Sequence, residues 1–164
     1  MGVHEIDTSL VSCFSLTLLT MDTQFFKKEL MTKYIKIEGS VYSQKRHRHS
    51  RWGTYDPSAN DKKKIMPLIV DQFMDKPFID AILIEMNIFI ERPKSHYNKY
   101  DLKPSAPKHK VTKPDIDNHA KFYMDCMSGI CYVDDNQIIS LVATKQYCDE
   151  YQEPHVEIII TDFK

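Results

Sequence analysis

Between residues 80 and 90 the chain alternates almost without error: Ile82, Ile84, Met86, Ile88 and Ile90 fall at every second position. A β-strand turns successive side chains to opposite faces, so this period marks a strand with one wholly apolar face. Pro93 closes it. An apolar sheet face must be covered, and in a chain of 164 residues the cover has to come from the chain's own helices within one compact domain.

The other elements follow from the same periods. Residues 33–38 alternate, with Ile35 and Ile37 opposite Tyr34, Lys36 and Glu38. Asp56-Pro57 reads as a helix start, an N-cap aspartate followed by proline at the first helical position. Ile65, Leu68, Ile69 and Phe73 supply its apolar stripe, and Pro67 predicts a kink or a split into two short helices. Residues 112–115 match a capping box and Gly129 a C-terminal cap, bracketing a second helix. There Ile116, Ala120, Tyr123, Met124 and Met127 share one face, and Asp117, Lys121 and Asp125 the other. Strands at 137–145 and 155–161 are expected to pair as an antiparallel hairpin across a turn near Asp149. The order β-α-β-α-β-β describes an α+β domain with a small mixed sheet and two main helices. Residues 93–113, rich in lysine and proline, form a long loop. Residues 1–30 show no clear period and read as an extension dispensable to a core domain of residues 31–164.

Composition narrows the class. With 42% hydrophobic and 27% charged residues, the chain resembles an ordinary folded domain rather than a disordered one. No apolar run approaches the roughly 20 residues of a membrane span. The best, residues 10–20, is broken by serines and a cysteine and follows Glu5 and Asp7, so no secretory signal is expected and the protein should be cytoplasmic. Cys126, Cys131, Cys148 and His155 could be weighed as a zinc set, but their spacing departs from the usual tight knuckles, and buried thiols are the expectation.

The net charge of −1 hides a segregation. Residues 43–64 hold seven Lys/Arg against two Asp, and residues 91–113 hold seven against Glu91 and Asp101. From residue 114 onward there are three lysines against ten acids. Lys45, Arg46, Arg48 and Arg51 in the first basic stretch, and Arg92, Lys94, Lys108, Lys110 and Lys113 in the second, are candidates to grip a phosphate backbone. Each run alone also fits a solvated loop.

Asp115, Asp117, Asp134 and Asp135 flank the second helix. Gathered carboxylates repel, by roughly 4 kcal/mol for a pair about 4 Å apart at an effective dielectric near 20, unless a divalent cation sits among them. Hard oxygen donors of this kind suit Mg2+, which can activate water and stabilise a leaving oxygen at a phosphodiester. Lys121 could stabilise charge on the phosphate. The residues alone leave a plainer account open. Asp115 and Asp117 could complement a helix dipole, Asp117 and Lys121 could form an i, i+4 ion pair, and Asp134 and Asp135 could be turn residues.

The run KPDIDNHAKFYMDCMSGICYVDDNQI (113–138) resembles the signature of the RusA family of Holliday junction resolvases. Asp115, Asp117, Asn118 and Lys121 match its D-x-D-N-x-x-K helix start, Asp125 and Gly129 its helix end, and Tyr132, Asp134, Asp135 and Gln137 its closing D-D-x-Q. RPKSHY (92–97) and KHK (108–110) look like the family's basic loop, and the resemblance covers about residues 32–161. His119, Ala120, Cys126 and Met127 depart from its usual apolar choices without touching the acids. The resemblance implies a homodimer that cuts four-way junction DNA in symmetric pairs during recombination and repair, dependent on Mg2+ with Mn2+ as a substitute. It implies catalysis by Asp115, Asp117, Asp135 and Lys121, with Asp134 as a further candidate metal ligand. The alternative is a junction- or duplex-binding module whose acids are structural.

Overall fold

A computed structural model of the chain describes residues 30–163 apart from 52 and 100. Almost all of the expected extension, including the run 10–20, lies outside the described residues. In chain order the elements are β1 (Thr32–Glu38), β2 (Arg48–Ser50), β3 (Gly53–Tyr55), α1 (Ala59–Gln72), β4 (Ile82–Ile90), β5 (Tyr97–Asn98), β6 (Asp101–Leu102), α2 (Ile116–Met127), β7 (Ile138–Tyr147) and β8 (His155–Asp162). The large elements follow the expected β-α-β-α-β-β order of an α+β domain. β2 pairs with β3 and β5 with β6 as separate two-stranded ribbons.

The main sheet has the order β1-β8-β4-β7. The expected β7–β8 hairpin does not form: β4 lies between them, antiparallel to β8 and parallel to β7. Two physical facts account for this. Parallel strands need a long crossover, and the segment from β4 through α2 to β7 is one. β8 buries Val156, Ile158 and Ile160 completely, which suits a central place, whereas β7 carries Ser140, Thr144, Lys145 and Gln146 and takes the edge.

Register aligns the apolar sets into rows. Ile35, Ile158, Met86 and Ala143 form one row, and Ile37, Val156, Ile88 and Lys145 the next. The face they share packs against Ile65 and Ile69 of α1 and against Phe122, Tyr123, Cys126 and Met127 of α2 in one core.

Both helices start later than the sequence suggests. Asp56 is not the N-cap of α1: its Oδ1 accepts from Ser58 N at 2.8 Å, a local Asx turn, and Ser58 takes the cap position. α1 also runs unbroken through Pro67. Burial of Ile65 and Ile69, worth about 1.5–3 kcal/mol each, outweighs the roughly 3 kcal/mol cost of an interior proline. Leu68 is left half exposed. α2 begins at Ile116 with Asp115 as its N-cap, so no capping box starts at Thr112, and His119, Phe122 and Cys126 join its buried face. Gly129 follows α2 at φ +77, a left-handed conformation that favours glycine.

Asp56 helps fasten the two helices. Lys62 Nζ donates to Asp56 Oδ2 at 2.9 Å and to Asp125 Oδ2 at 2.8 Å, so a lysine of α1 bridges to an acid of α2. Asp125 therefore serves packing. Burial pushes the Asp56 carboxyl up, but its bonds to Lys62, to Ser58 N and to Gln44 override that and hold it at about 2. A group held below its ordinary value binds fewer protons folded than unfolded, so its stabilisation is lost as pH falls from about 4 towards 2. Asp56→Asn is expected to lower stability by about 1–3 kcal/mol at neutral pH and to flatten that acid loss. Urea midpoints of both proteins between pH 2 and 7 check it, and parallel curves would refute it.

Candidate active site

The start of α2 sits beside the C-terminal half of β7. Asp115 and Asp117 are exposed there. Asp115 makes no side-chain capping bond, and Asp117 Oδ1 accepts a 3.3 Å bond from Asn118 Nδ2. The turn before them is held by two lysines. Lys145 Nζ donates to the carbonyls of Thr112 at 2.9 Å and Pro114 at 2.6 Å. Lys110 Nζ donates to Lys113 O at 3.0 Å and to Thr112 Oγ1 at 2.7 Å. Burial and the neighbouring Lys110 charge push the Lys145 ammonium below its ordinary value, while Asp115 and Asp117 pull it up. Asp115, Lys110, Lys145 and His109 line a cleft of about 740 Å³.

The other acids lie at the far end of α2. Asp134 Oδ1 accepts from Asn136 N at 2.8 Å, capping the short 3₁₀ turn Asp135–Gln137. Asp134, a candidate metal ligand in the sequence, thus also caps this turn. Gln137 clamps this turn: its Oε1 accepts from Val133 N and Asp134 N, and its Nε2 donates to the carbonyls of Phe78 and Asp80, all at 2.8–2.9 Å. Asp135 is exposed and lies near Tyr132, whose hydroxyl is raised by burial and by the Asp135 charge and hydrogen bond. Among the described residues no three His, Cys, Asp or Glu side chains are gathered as a metal site. Asp115 and Asp117 both act on the Lys145 ammonium, and Asp135 does not join them in a three-acid cluster among the described residues.

That arrangement still fits Mg2+, which binds through one or two carboxylates together with water and substrate phosphates. It does not fit structural zinc, which needs four gathered ligands, with its cysteines as thiolates. Cys126 and Cys131 are buried, and burial pushes both thiols up to about 12.

The basic candidates divide. Arg46 and Arg48 are exposed on or beside the β2–β3 ribbon, with Arg51 exposed at its turn. Lys45 is exposed but pairs with Asp61 at 2.9 Å. The base of this ribbon is tied to α2, because Gln44 N donates to Asn118 O at 2.8 Å and His119 Nδ1 donates to Tyr42 O at 2.6 Å. The ribbon therefore leaves the domain next to Asp117. Lys94, Lys108 and Lys113 are exposed on the long loop. Arg92 departs from the expectation. It is 9% exposed, donating from Nε to Cys148 O at 2.6 Å and from Nη1 to Pro107 O at 2.8 Å. It straps the loop to the sheet.

Lys121 is exposed, and no ion pair with Asp117 forms among the described residues. Lys145 escaped the reading of the residues. Its signal was there: it falls in phase with Leu141 and Ala143, a charge at an inward-facing strand position.

A family model described as Endodeoxyribonuclease RusA matches residues 38–161. The chain belongs to the RusA family. The match takes in β4 through β8, both helices and all the acids above. The uncharacterized protein YqaN of Bacillus subtilis (strain 168) is 30% identical over 104 residues, which cover 61% of this chain and 71% of that relative.

The strap role of Arg92 is open to test. A lysine keeps the charge but lacks the planar fork that spans two carbonyls. Arg92→Lys is expected to lower the urea-unfolding free energy by about 1–3 kcal/mol. An unchanged midpoint would return Arg92 to the DNA-binding set.

Proposed function

We propose that this protein is a Mg2+-dependent endonuclease that cuts four-way DNA junctions as a homodimer, one symmetric nick from each subunit. The observation that carries the reading is the open pair Asp115 and Asp117 beside the fixed cations Lys110 and Lys145. A cleft that offers both oxygen ligands and phosphate-binding cations suits a metal held between protein and DNA backbone. Asp115 and Asp117 would hold the ion, with Asp135 as the third acid. When bound, the metal supplies a water of lowered pKa and stabilisation for the leaving oxygen. The chain's own groups do the rest. Lys110 and Lys145 fix the turn that presents the acids, and Lys121, on the same helix one turn past Asp117, is available to the phosphate. The β2–β3 ribbon and the 93–113 loop flank the cleft with positive charge that would orient the duplex arms. A homodimer is supported by the edge strand β7, where Ile139, Leu141 and Val142 are 55%, 41% and 56% exposed, since an apolar open edge invites a partner strand. Twofold symmetry then matches the two equivalent strands of a junction.

Asp115→Asn, Asp117→Asn, Asp135→Asn and Lys121→Ala are each expected to slow single-turnover nicking of a synthetic junction at saturating Mg2+ by at least about a hundredfold, or about 2.7 kcal/mol of barrier. Junction binding should stay intact, or tighten where an acid facing phosphate is lost. Near-parental cutting removes that residue from the site. Tight binding with no Mg2+-dependent nicking by the parent protein would make it a binding module instead.

The basic surfaces are tested by salt. Neutralising Arg46, Arg48 and Arg51 together, or Lys94, Lys108 and Lys113, should weaken junction binding and reduce the magnitude of its log–log salt slope by about 0.9 for each DNA phosphate that is no longer neutralised. An unchanged slope would leave these stretches as solvated loops.

A further inference from the structure

Lys145 occupies a position that strand geometry would assign to an apolar residue. Its row across the sheet is Ile37, Val156, Ile88, Lys145, and the first three are buried in the core. A lysine here must find partners for its ammonium beneath the start of α2. It finds two, the carbonyls of Thr112 and Pro114. An ammonium carries three donors, so one remains. The side chain lines the 740 Å³ cleft together with Asp115 and Lys110, and the unassigned donor belongs to a cation locked at the base of α2.

We propose that Lys145 contacts the reacting phosphate of the DNA, as a point charge held in place by two backbone carbonyls. The proposal rests on the endonuclease reading above and adds to it a residue outside the D-x-D-N-x-x-K and D-D-x-Q segments. The contrast with Lys121 is physical. Lys121 is exposed and unpaired among the described residues, so ordering its long side chain on a phosphate costs rotamer entropy at the moment of binding. Lys145 is ordered beforehand by bonds that do not neutralise it. A prearranged cation of this kind stabilises charge as it develops on a phosphoryl oxygen without reorganising. It also keeps positive charge beside Asp115 and Asp117, lowering the repulsion a phosphate would otherwise meet there. A plainer role exists for an inward-pointing lysine on an edge strand, which is to discourage unwanted strand pairing. That role predicts no effect on DNA.

Lys145→Met and Lys145→Gln in the full chain separate these. Three quantities are read: the thermal midpoint, the salt dependence of junction binding in EDTA, and single-turnover nicking with Mg2+. For both variants the slope is expected to fall in magnitude by about 0.9 per engaged subunit, and nicking to slow at least about a hundredfold. Lys145→Gln keeps an amide donor for the same carbonyls and carries the test if Lys145→Met does not fold. Parental slope and rate would overturn the proposal and leave Lys145 an edge guard. A slower rate with a parental slope would also overturn it, because Lys145 would then act only through the 112–114 turn. A lower slope with a parental rate would place its contact away from the reacting phosphate, which equally overturns it. If the parent nicks no junction, the endonuclease reading fails instead, and a parental slope in the variants would overturn the Lys145 contact as well.

Discussion

β8 lies between β1 and β4, and most of the molecule's arrangement follows from that placement. With β8 in the centre, β4 has one flank left for β7, and the two can only meet in parallel because α2 bridges them. The parallel crossover lays the start of α2 along the last residues of β7. That puts Asp115 and the turn before it against Lys145. A β7–β8 hairpin would have carried β7 elsewhere and left the acids without fixed cations nearby.

The electrostatics of this corner are those of a site prepared for an anion. Two acids stand open, yet the carbonyls of residues 112, 113 and 114 are all held by lysine ammonium groups. Carbonyl bonds hold a lysine without cancelling its charge, so the cleft stays cationic beside its carboxylates. At the other end of α2 the acids are treated differently. Asp125 is paired with Lys62, and the exposed Asp134 caps the turn at Asp135–Gln137. Asp135 there is exposed, as Asp115 and Asp117 are at the start of the helix.

Much of this was legible in the residues. The alternation at Ile82, Ile84, Met86 and Ile88 marked β4 and its buried face, and the D-x-D-N-x-x-K and D-D-x-Q segments marked the family. Other features were misread where one residue type serves two purposes. Arg92 looked like one more cation in a basic loop, and burial made it a strap. Asp56 looked like an N-cap, and a nearby lysine and glutamine drew its carboxylate into a tie between segments. Lys145 was passed over at the end of the 137–145 strand, because its inward phase has meaning only once its neighbours in the row are known.

The sequence by itself determined the four main strands, the two helices and the family the chain joins, since period and local motif need no knowledge of what lies across the sheet; the short ribbons at 48–55 and 97–102 carry no such period. Tertiary structure decided the strand order, the partners of each charge and the pairing of Lys145 with the turn before Asp115. Those depend on contacts between residues far apart in the chain, such as Ile37 with Val156 and Ile88 with Lys145. Competition among such contacts for burial is settled only when the whole core is assembled.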